Sequence, residues 1–166
     1  MANPFDHLAV LAEVSIGFIG FVAIFLIFAR REGRFSPEDA IRIQALFTAG
    51  FVGVFMSLLP IVLSNTVFDE SLNWRISSIV FLFIVVGILV GIGLQQRRLP
   101  KEAQANIPLW NNLIAWGLGF VAMSCLLANA LSLELFTPAF LYLVAILFIL
   151  IGATTNFVAI AIQKLL

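Results

Sequence analysis

The chain has 166 residues, 62% of them hydrophobic and 11% charged, with a mean hydropathy of +1.11. Soluble domains average about 45–50% apolar and about 25% charged residues, so the composition excludes a water-soluble domain and makes a bilayer the implied solvent. Nine Lys plus Arg balance nine Asp plus Glu, which leaves no basic excess to recruit nucleic acid. One His and one Cys are too few for the usual zinc or iron–sulfur ligand sets, so no metal or other cofactor is expected.

A hydrocarbon core needs roughly 20 apolar residues of helix. Five runs meet that length, at 8–29, 43–64, 76–94, 113–133 and 136–162, and Glu13 is the one charged residue inside any of them. Charges at membrane depth are costly, so this distribution predicts an all-α fold: a single transmembrane domain, residues 1–166, built as a polytopic bundle of five helices.

The first run, "LAVLAEVSIGFIGFVAIFLIFA", places Glu13, Gly17, Gly20 and Ile24 along one line of a helix at 100° per residue. That face is expected to contact other helices, because glycine allows close backbone approach and lipid is a poor neighbour for a carboxylate. Glu13 lies roughly 8 Å below the outer boundary of the run at 1.5 Å per residue. The segment "RREGRFSPEDAIR" (30–42) follows. In it Ser36 suits an N-cap, Pro37 the first helical position, and Glu38 and Asp39 the positive end of the helix dipole.

The second run carries Gly50, Gly53, Ser57 and Pro60 on one side, with Gln44 and Thr48 nearer its start. Pro60 frees the carbonyl of Met56 and can bend the helix. The third has Ser77 and Ser78 near its start and holds a Gly87–Gly91 pair in small-xxx-small spacing. The fourth aligns Gly117, Ser124 and Ala128 beside Asn129. The fifth begins at "TPAF", a second capping pattern, and carries Gly152, Thr155 and Asn156 in one stripe.

The basic residues alternate between connections. Arg30, Arg31, Arg34 and Arg42 fall in the first, Arg97, Arg98 and Lys101 in the third and Lys164 at the C-terminus, with Arg75 alone on the other side. The positive-inside rule then predicts the N-terminus outside and the C-terminus in the cytoplasm of an inner membrane. Arg30, Arg31, Arg34, Arg97, Arg98 and Lys101 are the candidates for contact with anionic lipid headgroups.

By depth, the intramembrane polar residues separate into an outer layer of Glu13, Ser57, Ser78, Asn129 and Tyr142 and an inner layer of Gln44, Thr48, Thr155 and Asn156. Two hydrated vestibules separated by an apolar constriction would have this pattern. Interhelical hydrogen bonding would also have it, at an average of about 0.6 kcal/mol per bond. Glu13, Ser57, Asn129, Thr48, Thr155 and Asn156 are therefore the candidates for an ion or proton pathway, and Gly17, Gly20, Gly50, Gly53, Gly87 and Gly91 for close helix packing. A chain of this size has few faces to spare for enclosing a pathway, so a homo-oligomer is expected. The sequence holds no nucleophile elbow, phosphate loop or cluster of titratable groups, and an enzyme is not expected.

Through "LAEVSIGFIGF" (11–21), "FSPEDAIRI" (35–43), "FMSLLP" (55–60) and "WRISS" (74–78), the first half of the chain resembles a group of bacterial multi-pass inner-membrane proteins without assigned function. That resemblance implies a multi-pass membrane fold and no particular activity. Two functional expectations follow from the residues: an oligomeric channel or small transporter with Glu13 near the outer mouth, or a non-transporting accessory protein whose polar residues only specify helix packing.

Overall fold

The computed structural model describes residues 3–31, 36–66, 69–133 and 136–165, and these are almost entirely helical. Among the described residues six helices occur in chain order: α1 (Pro4–Arg31), α2 (Pro37–Leu63), α3 (Glu70–Arg98), α4 (Lys101–Ala105), α5 (Leu109–Ala130) and α6 (Pro138–Leu165). All except α4 are long and apolar enough to cross a membrane. The longest, α3, has 29 residues and the shortest of the five, α5, has 22, or roughly 44 and 33 Å at 1.5 Å per residue against a hydrocarbon thickness of about 30 Å.

Most helices run past the apolar runs, because hydropathy marks the depth of hydrocarbon rather than the end of hydrogen bonding. At the start of α2 the Asp39 carboxylate accepts from the Ser36 backbone N–H at 3.1 Å and from its hydroxyl at 2.8 Å, closing the first turn. At the start of α3 Asp69 accepts from Leu72 N at 2.7 Å. The third connection departs from expectation. Where the sequence suggests a simple linker, Pro100 starts the short helix α4. The fourth apolar run also ends early: α5 stops at Ala130, and Ser132 adopts a left-handed φ of 54°. Ser132 N donates to Asn129 O and Leu133 N to Ala128 O, a Schellman turn with serine where glycine is usual.

Successive long helices are antiparallel. On α1 and α2 the partners of Ile19 and Ser15 are Gly50 and Gly53. On α5 and α6 Asn111 meets Asn156 and Asn129 meets Pro138. Helix α6 packs on both α5 and α2, while α3 packs chiefly on α5. All helix ends bearing Arg42, Arg97, Lys101 and Gln163 thus lie at one end of the bundle, hereafter the basic end.

The core is uneven along its length. Toward the end opposite the basic one it holds Leu8, Met56, Trp74, Phe81, Tyr142 and Ile146, all almost completely buried. The Trp74 ring stacks on Phe5 and the Tyr142 ring tilts against both Trp74 and Phe81. Every buried residue of α3 lies between Asn73 and Val85, and none follows. A second cluster, around Val22, Leu46, Ala153 and Ile160, joins α1, α2 and α6 in the other half. The outer surface carries exposed Ile16, Phe28, Phe55, Phe83, Phe120 and many like them, a surface that only lipid or another protein can satisfy.

Candidate functional site

The carboxylate of Glu13 lies on the outside of the bundle. Glu13, Gly17, Gly20 and Ile24 form one exposed strip of α1, as the periodicity predicts. The expectation that this strip contacts other helices is not met within the chain: a methyl group built on Gly17 or Gly20 would meet nothing within 4 Å. The reason is that α1 uses the opposite side. There Ser15 is fully buried, and a methyl on Gly53 would fall 2.5 Å from Ser15 Oγ, one on Gly50 2.5 Å from Ile19 Cγ1. Gly50 and Gly53 therefore sit at a true close approach of two helices. Gly87 and Gly91, like Gly17 and Gly20, border open space.

The other outer-layer residues are inside the bundle and are engaged with one another or with backbone. Ser57 Oγ donates to Gly53 O at 2.7 Å. Asn129 Nδ2 donates to Ser78 Oγ at 2.7 Å and Pro138 O at 3.0 Å. Tyr142 Oη donates at 2.9 Å to Met56 O, the carbonyl that Pro60 leaves without its helical partner. Asn73 Nδ2 donates to Pro60 O at 2.8 Å. Glu13, on the outer strip, is not brought together with Ser57 or Asn129. In the inner layer Thr155 Oγ1 donates back to Ile151 O at 2.9 Å, Thr48 is half-buried on α2, and Asn156 Oδ1 accepts from Asn111 Nδ2 at 2.6 Å.

A more concentrated polar site occupies the basic end. Arg42, in the second turn of α2, is only 3% exposed, with Asp39 at 2% and Glu38 at 7%. Its Nη1 donates to Gln163 Oε1 of α6 at 2.6 Å and lies 3.9 Å from Asp39 Oδ1. Gln163 Nε2 reaches Asn106 O at 3.3 Å, and Asn106 Nδ2 donates to Glu38 Oε1 at 3.0 Å. One arginine thus ties the start of α2, the residue capping α4 and the last turn of α6.

The network is incomplete on one side. Arg42 Nε and Nη2 and Asn111 Oδ1 are buried without a hydrogen-bond partner among the described residues. A buried polar group left unpaired costs about 1–3 kcal/mol, and a charged one more. Arg42 and Asn111 line one cavity of about 50 Å³ with Asn156, Gln96, Asn112 and Trp116. Next to it, on the lipid side of α3 and α5, runs a groove of about 610 Å³.

Among the headgroup candidates, Arg97 and Arg98 are exposed at the end of α3 and Lys101 on α4, and Arg97 lines the groove. Arg34, and the side chains of Arg30 and Arg31, lie outside the described residues. The burial of Arg42 is the feature that sequence reasoning misses by placing it in a connection. Its spacing of three from Asp39 and four from Glu38 on a capped helix was the available signal. Comparison of the chain with protein-family models, with curated proteins and with solved structures gave no match.

Proposed function

We propose that the chain is an inner-membrane protein, N-terminus outside and C-terminus cytoplasmic, which assembles as a homo-oligomer and conducts ions or protons past Glu13 as a channel or small transporter. The observation that carries this reading is the exposed Glu13–Gly17–Gly20 strip. A carboxylate facing hydrocarbon is unfavourable by at least about 2.5 kcal/mol, and the two glycines that follow it on the strip leave room for another helix to approach. A second copy of the chain would cover the strip and bring carboxylates together about a shared axis. The outer polar residues inside one copy are held in hydrogen bonds, so the boundary between copies offers the better route. The bias of basic residues toward one end supports the orientation.

Reconstituted in liposomes, the chain is expected to carry protons or monovalent cations above empty vesicles, and Glu13→Gln is expected to lower that flux to background. Wild-type vesicles indistinguishable from empty ones would overturn the proposal. One observation favours a second reading, a non-transporting accessory protein: Ser57, Asn129, Tyr142 and Thr155 all satisfy backbone or side-chain partners within the bundle. That reading expects Glu13→Gln to change self-association or partner co-purification with no flux to lose.

A further inference from the structure

The buried arginine and the adjoining groove fit one kind of ligand, and this holds whether or not the protein conducts. We propose that Arg42 anchors the head of a long-chain carboxylate, such as a fatty acid, whose tail lies in the groove between α3 and α5.

The guanidinium has two edges, and they are used unequally. Nη1 is taken by Gln163 and faces Asp39. The Nε–Nη2 edge has no partner among the described residues. That edge is a planar fork of two parallel donors, matched to the two oxygens of a carboxylate. Asn111, only 1% exposed, leaves a second polar group unpaired in the wall of the same cavity. If its amide and that of Asn156 turn together, Asn111 presents an N–H to the same headgroup.

Size and surroundings narrow the ligand further. About 10–15 Å³ of such space holds one water, so a cavity of about 50 Å³ takes a group of three or four heavy atoms and not a glycerophosphate head. The cavity and the groove share Leu89, Gln96, Asn112 and Trp116 as walls. Beyond them the groove is lined by Val86, Val90, Leu94, Phe120 and Met123, with Arg97 and Gln104 at its basic end, and Val90, Leu94 and Phe120 are exposed on the lipid-facing surface. On the aqueous side, the pocket next to Arg42 is lined by Glu38 and Asp39. A free anion arriving from water meets those two carboxylates first, whereas an amphiphile arriving through the bilayer meets an apolar wall. The route and the fork together select an acid carried on a hydrocarbon chain.

The test uses the full chain in detergent micelles, in a Trp110→Phe background, with palmitate brominated at mid-chain as the probe. Trp116 borders both spaces and Trp74 is buried at the other end of the bundle, so saturable quenching of Trp116 is expected and should vanish in Trp116→Phe. The equally brominated hexadecanol, with the same tail and no charge, should bind at least about tenfold more weakly, and Arg42→Lys, which keeps the charge but loses the fork, should weaken palmitate by a similar factor. Sodium acetate should not compete. Equal binding of acid and alcohol, unchanged affinity in Arg42→Lys, competition by acetate or absence of saturable quenching would each overturn the site. Should Arg42→Lys fail to fold, the contrast between acid and alcohol must persist in Arg97→Gln, since Arg97 also lines the groove, and its loss there would overturn the site.

Discussion

At the scale of single residues, the contact between Tyr142 and Met56 illustrates how an imperfection in one helix is repaired by another. Pro60 withholds the N–H that would have met the Met56 carbonyl, and the fully buried Tyr142 hydroxyl supplies the missing donor. Tyr142→Phe should leave that carbonyl unsatisfied and lower stability by about 1–3 kcal/mol. In a Pro60→Ala background the backbone can restore its own bond, so the same substitution should cost measurably less. Thermal unfolding of the four variants in one detergent gives the coupling directly. The freed carbonyl was legible in the sequence, since a proline inside an apolar run announces it. Its partner was not, because tyrosine 86 positions away is brought there only by the packing of α6 on α2. Arg42 shows the same limit from the other side. Its spacing from Glu38 and Asp39 can be read from the sequence, but its burial depends on Gln163 and Asn106 arriving from distant segments.

Among elements, the glycines divide by what lies opposite them. Gly53→Ala must displace Ser15, whose hydroxyl is held by Leu11 O at 2.7 Å, and Leu150 on the far side. A loss of about 1–3 kcal/mol in thermal stability is expected. Gly17→Ala meets nothing within the chain, and in an isolated copy its helix propensity should give a gain of up to about 1 kcal/mol. The Schellman turn at Ser132 supplies a third case. Glycine there removes the strain of a left-handed Cβ, so Ser132→Gly should raise stability by roughly 1 kcal/mol. The five long helices were readable because an apolar run of that length has few alternatives. The glycine roles were not, since the periodic stripe looks the same whether it faces a neighbouring helix or open lipid. The end of α5 escaped notice because Leu131 and Leu133 extend the apolar run through residues that form a turn.

On the scale of the whole molecule, the oligomer proposed above would seat a second copy on the exposed strip of α1. Gly20→Ile is expected not to lower the unfolding free energy of a single copy while shifting cross-linked species toward monomer. An unchanged oligomer distribution would place the interface elsewhere, and Glu13 with it facing lipid.

Helix α3 is fastened along only part of its length: Asn73 holds Pro60, Ser78 holds Asn129 and Phe81 packs on Tyr142, while nothing beyond Val85 is buried and the cavities gather beside Leu89 and Gln96. Past Val85 the helix keeps lighter contacts, Leu89 against Gly119 and Gly93 against Trp116, so bending is expected after that turn. Backbone amides of the last three turns should exchange hydrogen for deuterium faster than those between Trp74 and Val85, and an occupant between α3 and α5 should slow them. The easiest opening of the bundle would then be a swing of this one helix at the basic end.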